Sequence, residues 1–244
     1  MEAFTIQIAG LAARVQPMFA STREYCRAYL TVGEPELTVT VTETDLIYEQ
    51  RMAEIEAVEE GLRIRKFTDP FLERATIQRK IAGALLRRDT LLLHGSCVAV
   101  DGFAYIFVAP CRTGKSTHTR FWREVFGARA VMVNDDKTFL QLTDTAVLAY
   151  GSPWSGKHGL DTNVCLPLKG ICFLQRGAEN IIHPVKSETV LPELLHQTFI
   201  PDEPDAQGKA TELVHTLSHR VNLWQMACAK DPAAAQVAYN AMSR

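Results

Sequence analysis

The chain has 244 residues, 47% of them apolar and 22% charged, with a formal net charge of −2. That balance belongs to a globular protein with a sizeable core, and it gives no general basic field for nucleic acid. No apolar run is long enough to cross a bilayer, since His94, Asp101 and Gly102 interrupt Leu91 to Val108, and the start Met1-Glu2-Ala3 lacks the basic residues of a secretory signal. From the N-terminus to about residue 66 the pattern is β-like. Thr5–Ile8, Leu37–Thr42 and Leu62–Arg65 alternate apolar and polar side chains, and Gly33 and Pro35 mark a turn between segments. Residues 69 to 88 predict a helix. Asp69 caps it, Pro70 suits its first turn, and Phe71, Leu72, Ile77, Ile81, Leu85 and Leu86 form an apolar face. The expected division is therefore a β-rich subdomain over 1–68 and a larger domain over 69–244.

Leu91–His94 leads into Cys97–Val100, an Asp101-Gly102 turn and Ala104–Val108, which predicts a hairpin region. Thr138–Leu142 and Ala146–Tyr150 predict a second hairpin through Thr143-Asp144-Thr145, and Lys169–Leu174 reads as a buried strand. The last third is predicted helical over 188–197, 208–228 and 232–242, with Pro201–Asp205 as a solvated linker or a mobile loop near the site. On the second of these helices Leu213, Leu217, Val221 and Trp224 make a core-facing stripe. The six cysteines form no C-x-x-C pair and lie mostly in apolar stretches, which predicts reduced thiols and a cytoplasmic protein.

The chemistry concentrates between residues 94 and 157. Ala109-Pro110-Cys111-Arg112-Thr113-Gly114-Lys115-Ser116-Thr117 follows the strand Tyr105–Val108 and opens a predicted helix from His118, the setting of a phosphate-cradling loop. Lys115 supplies a compact charge for β- and γ-phosphates, and the Ser116 hydroxyl is a hard donor for Mg²⁺. Two residues depart from the G-x-x-x-x-G-K-[ST] pattern. Ala109 replaces the first glycine, and Arg112 stands where many such loops carry another; it either strains the loop or reaches the γ-phosphate as a built-in arginine finger. Cys111 is either a small packing residue or a thiol open to modification.

About twenty residues on, the apolar run Ala130–Val133 ends in Asn134-Asp135-Asp136. One acid at such a strand end can hold Mg²⁺ and the other can take a proton from an attacking hydroxyl; the sequence leaves open which faces the phosphate. In Gly151–Lys157, Lys157 could neutralise a phosphate or an acceptor carboxylate and Trp154 could wall the pocket, the alternative being a solvated turn with a packing tryptophan. His94 is either a core or a site histidine, and Arg176 reads as a solvated strand end.

With His94-Gly95, Gly114-Lys115-Ser116-Thr117, Asn134-Asp135-Asp136 and Gly151-Ser152-Pro153-Trp154-Ser155-Gly156-Lys157 in that order, the chain resembles the HPr kinase-related proteins. Their nucleotide fold is shared with phosphoenolpyruvate carboxykinase. The resemblance covers roughly residues 70 to 242 and matches the N-terminal region only loosely. It implies an α/β fold with a mixed-sheet P-loop core, a small β-rich N-terminal region and C-terminal helices. It implies ATP and Mg²⁺ as cofactors, and transfer of the γ-phosphate to a serine/threonine-type hydroxyl of a peptide, protein or small molecule. Arg112, Thr113, Gly114, Lys115, Ser116 and Thr117 would then hold the nucleotide, Ser116 and Asp135 the metal, and Asp136 would be the base, with His94 and Lys157 beside it. Neither nucleic acid nor membrane is expected as a partner. The alternative is a nucleotide-binding regulatory protein without turnover, which Ala109 and Arg112 favour.

Overall fold

The structure is a computed structural model that describes residues 1–59 and 61–244. It contains two compact units, Met1–Leu85 and Leu86–Arg244. In the first, β1 (Phe4–Ile8) and β2 (Leu11–Gln16) form an antiparallel hairpin. Its two-residue turn, Ala9-Gly10, has φ of 45° and 79°, as the right-handed twist of the strands requires. After α1 (Ser21–Tyr25), β3 (Leu37–Thr40) adds in parallel to β2. Then come α2 (Glu43–Glu59) and α3 (Asp69–Leu85). The buried Glu73 carboxylate of α3 accepts the backbone N–H groups of Met18 and Phe19 and the Thr22 hydroxyl, which fixes the turn before α1.

Three expectations for this unit are corrected. Residues 43–59 are helical rather than β-like, and among the described residues Leu62–Arg65 pairs with no strand. A capping box explains the helix. Asp45 accepts from the Thr42 amide at 2.9 Å and the Thr42 hydroxyl accepts from the Asp45 amide at 3.3 Å. Only Leu46 of α2 is buried, so the helix lacks an apolar stripe that periodicity could detect. Arg79 of α3 instead ties it down through Glu49 at 2.6 Å and Asp45 at 3.3 Å. The first unit also includes the whole of α3, so its boundary falls after Leu85 rather than after residue 68.

The second unit is built on a mixed sheet flanked by helices. Its elements are β4 (Thr90–His94), β5 (Ser96–Val100), β6 (Phe103–Val108), α4 (Lys115–Phe126), β7 (Ala130–Asn134), β8 (Lys137–Leu142) and β9 (Val147–Tyr150). They continue with β10 (Cys165–Arg176), β11 (Ile181–Pro184), α5 (Ser187–His196), α6 (Pro204–Arg220), β12 (Asn222–Cys228) and α7 (Ala233–Met242). The main path runs β4-β8-β9-β10-β6-β5-β7, with β12 beside β10 and β11 beside β12. Strand β10 is long enough to serve two neighbours in turn. Its start pairs antiparallel with β9, and its remainder lies parallel to both β6 and β12.

Strand alternation sends side chains to two cores. Ile106 and Val108 of β6 join Ile171 and Phe173 of β10 under Leu194, Val214 and Leu217 of α5 and α6. Tyr105, Phe107, Cys172 and Leu174 face the other way, onto Trp122 and Phe126 of α4 and Ala235 and Ala238 of α7.

Three further readings are corrected here. The β5–β6 hairpin turns at Asp101-Gly102 as expected, but β4 pairs with β8 and not with β5. The helix predicted over 208–228 stops at Arg220, and Asn222–Cys228 is strand β12, which removes Val221 and Trp224 from the helical stripe. β12 pairs with the edge of β10 opposite β6, which buries Leu223 in one core and Met226 in the other, as the alternation of a strand allows and one helix face does not. The third is β11, which the sequence reading did not assign. Among the described residues no helix is long and apolar enough to cross a membrane.

Candidate functional site

β6 leads directly into the loop 109–114, and α4 begins at Lys115. Gly114 has φ 130° and ψ 18°, a conformation open to glycine and strained for other residues. Arg112 has φ 62°, the left-handed region that costs a side-chain-bearing residue about 1–2 kcal/mol. Arg176 holds that conformation by donating from its guanidinium to the Arg112 carbonyl at 2.7 Å, so Arg176 is a brace of the loop and not merely a solvated strand end. Lys115 turns back over the loop and donates to the Ala109 carbonyl at 2.7 Å. The amides that open a helix have no intrahelical acceptors, and the helix dipole adds a positive field there.

His118, in the first turn of α4, anchors that helix to the sheet. It is buried, its ring lies 4.4 Å from that of Phe107, and its Nε2 accepts from the Trp122 indole at 3.1 Å. Burial pushes its pKa down to about 3, which keeps the imidazole neutral.

The acids follow β7. Asn134 is buried and organises their turn: its carbonyl oxygen accepts the amides of Asp136 at 2.8 Å and Lys137 at 2.6 Å, while its amide donates to the Ser152 carbonyl at 2.8 Å. Pairing of β4 with β8 sets His94 opposite Lys137, and His94 Nε2 lies 3.0 Å from an Asp136 carboxylate oxygen. Burial opposes the Asp136 charge, but the His94 hydrogen bond and the charges of Lys137 and Lys115 outweigh it and hold the pKa at about 2. Burial, with the Lys137 charge, keeps the His94 pKa below its usual value. Asp135 behaves oppositely. It is buried, and burial together with the Asp136 charge raises its pKa although its carboxylate accepts the Gly156 amide at 2.5 Å.

That last bond brings in the 151–161 loop. A β-carbon on Gly156 would lie 3.3 Å from the Asp135 carboxylate and 3.3 Å from Asp136 Cβ, so glycine allows the loop backbone to approach the acids. Gly151 is more constrained still: a β-carbon there would lie 1.9 Å from the Thr162 carbonyl oxygen. Trp154 does not wall the site. It is buried, packs edge-on against Phe139 at 6.2 Å, and is absent from the cleft lining.

These parts surround one cleft of about 770 Å³, within the usual size of small-molecule sites. His94, Arg112, Gly114, Lys115, Ser116, Thr117, Asp135, Asp136 and Lys157 all line it. Thr113 lines instead a neighbouring cavity of about 440 Å³, with Phe121 and Leu174. Arg112, Gly114, Thr117 and Lys230 border both spaces. Cys111 is exposed in the cleft and does not act as a small packing residue.

Three residues that the sequence reading missed also line the cleft: Arg120, His158 and Lys230. Arg120 was legible, standing four residues beyond Ser116 on the same helix face. Lys230 carried no signal, because it reaches the site only through the pairing of β12 with β10. Among the described residues no group of three or more His, Cys, Asp or Glu side chains could hold a metal ion by itself.

No family model and no curated protein matches the chain. Among solved structures it is similar to the HPr(Ser) kinase/phosphatase from Coxiella burnetii, with a TM-score of 0.36 and 8% sequence identity over 62% of this chain and 95% of that one. That likeness is weak, and the chemistry rests on the residues themselves.

Proposed function

We propose that the second unit is an ATP- and Mg²⁺-dependent kinase that transfers the γ-phosphate to a serine- or threonine-type hydroxyl. The observation that carries this reading is one cleft in which the lysine-headed start of α4 meets an Asp136–His94 pair and a second buried acid. In this reading loop 109–114 is a phosphate loop. The phosphates lie over the start of α4 within reach of Lys115, and the nucleoside extends into the cavity lined by Phe121 and Leu174.

Ser116 and Asp135 offer hard oxygen donors of the kind Mg²⁺ prefers. Asp135 fits a cation on its own account, being a buried carboxylate that forms no ion pair among the described residues. Bound Mg²⁺ would screen the phosphate oxygens during transfer. Asp136, ionised at neutral pH, accepts the proton of the acceptor hydroxyl as that oxygen bonds to the γ-phosphorus and the bond to the leaving ADP oxygen breaks. His94 orients that carboxylate, and Arg112 meets the charge of the transferring group. The six free cysteines accord with a reducing, cytoplasmic setting.

The second reading, nucleotide binding without turnover, is favoured by the left-handed φ of Arg112. Calorimetry of MgATP binding together with acceptor-dependent ATP consumption separates the two. Lys115→Ala should weaken binding at least tenfold, about 1.4 kcal/mol. Equal affinity of variant and parent would overturn both readings; binding without acceptor-dependent turnover would leave the second.

A further inference from the structure

The cations of the cleft fall into two groups. Arg112 and Lys230 border both cavities, and Lys115 opens α4 at the end of the loop, so these three meet a nucleotide that spans from one cavity to the other; Arg120, on the same helix, pairs with Glu124 at 3.4 Å. Lys157 and His158 line only the larger cleft, at its acid end. Lys157 directly follows Gly156, whose amide binds Asp135. Among the described residues Lys157 forms no ion pair, and it is exposed.

The segment that presents it is braced from several sides. Gly159 donates to the Gly156 carbonyl at 3.0 Å, Ser155 donates to the Asp161 carboxylate at 2.9 Å, and the Asp135 amide donates to the Leu160 carbonyl at 3.1 Å. A lysine on so constrained a turn has its backbone fixed beside the acids that would activate the hydroxyl, which keeps its charge within reach of an entering acceptor. Two carboxylates at the same end would repel an anionic acceptor unless a cation met it there.

We infer that the acceptor is an acidic hydroxyl compound, a serine or threonine hydroxyl with a carboxylate beside it, and that Lys157, with His158 next to it, receives that carboxylate. This rests on the kinase reading above. A carboxylate on the same residue and one on a neighbouring residue present the same chemistry, and the test distinguishes them.

The full-length protein with MgATP is given a degenerate peptide library centred on serine and threonine, peptides with Asp, Asn or Lys beside the serine, and free serine with serinamide. Phosphorylated products are followed by mass spectrometry. Acidic members should be preferred by roughly tenfold in kcat/KM, the size of one charge-assisted hydrogen bond. If free serine is favoured over serinamide the carboxylate is the residue's own; if the Asp peptide is favoured over its Asn counterpart it belongs to a neighbour.

Lys157→Glu should erase that preference mainly through KM and shift it toward the Lys peptide, with MgATP affinity unchanged. Lys157→Arg should keep it, and equal melting temperatures exclude a folding defect. Phosphorylation without acidic preference, or a preference that survives Lys157→Glu, overturns this inference and leaves the kinase reading standing. No product from any acceptor while MgATP binds overturns the kinase reading, and this inference with it.

Discussion

Acid should destabilise the second unit through His118. The native imidazole is held near pKa 3 by burial, whereas an unfolded chain titrates it near 6.5. Below about pH 6.5 the unfolded state binds a proton that the native state refuses, so this contribution to stability is intact above 6.5 and is lost as pH falls toward 3. Between pH 7 and pH 5 linkage gives a loss of about 2 kcal/mol. The geometry supplies a second reason for the sign: Nε2 accepts from the Trp122 indole, and a protonated ring has no lone pair there.

Urea unfolding followed by tryptophan fluorescence reads this directly, because Trp122, Trp154 and Trp224 all lie in the second unit. His118→Gln keeps an acceptor for the indole but does not titrate. It should lose some stability at pH 7 and about 2 kcal/mol less than the parent on going to pH 5. Taking the difference between the two proteins removes the other histidines, including His94, whose depressed pKa acts in the same direction. An equal pH 7 to pH 5 loss in variant and parent would falsify the assignment of this acid sensitivity to His118.

Arg112→Gly should leave the melting temperature nearly unchanged, since relief of the left-handed strain is offset by glycine's greater freedom in the unfolded chain, but should lower turnover toward 10³-fold with a smaller effect on ATP affinity. A rate increase with unchanged or tighter binding in steady-state kinetics eliminates the arginine's role at the γ-phosphate. Asp136→Asn should reduce turnover by roughly 10²–10⁴-fold while keeping most nucleotide affinity. If the asparagine variants of both Asp135 and Asp136 turn over normally, neither carboxylate is the base. Gly151→Ala must displace backbone, because its methyl would sit 1.9 Å from the Thr162 oxygen, and should destabilise by roughly 1–3 kcal/mol. An unchanged unfolding midpoint would contradict that close approach.

Where a signal is carried by side chains acting on their own backbone, this sequence was readable. The Asp101-Gly102 turn and the start of α3 at Asp69-Pro70 lie where local chemistry indicated, whereas α4 opens at Lys115, three residues before the His118 start that was expected. Apart from Thr113 and Trp154, the site residues singled out between His94 and Lys157 line a common cleft, because strand ends and helix starts of one sheet converge there. Helix α2 was also written locally, in the Thr42–Asp45 capping box, but its lack of an apolar stripe hid it from periodicity.

What tertiary structure alone decided is pairing and depth. Asn222–Cys228 could extend a helix or join a sheet, and the parallel edge of β10 chose the strand, which in turn brought Lys230 to the cleft. His94 meets Asp136 because β4 crosses to β8 instead of folding back on β5. Trp154 went into the core against Phe139 while Lys157, three residues on, stayed at the surface. Local propensity fixes the conformation a segment prefers; which edge it meets and which face it buries depend on neighbours distant in the chain, and no short window of sequence contains them.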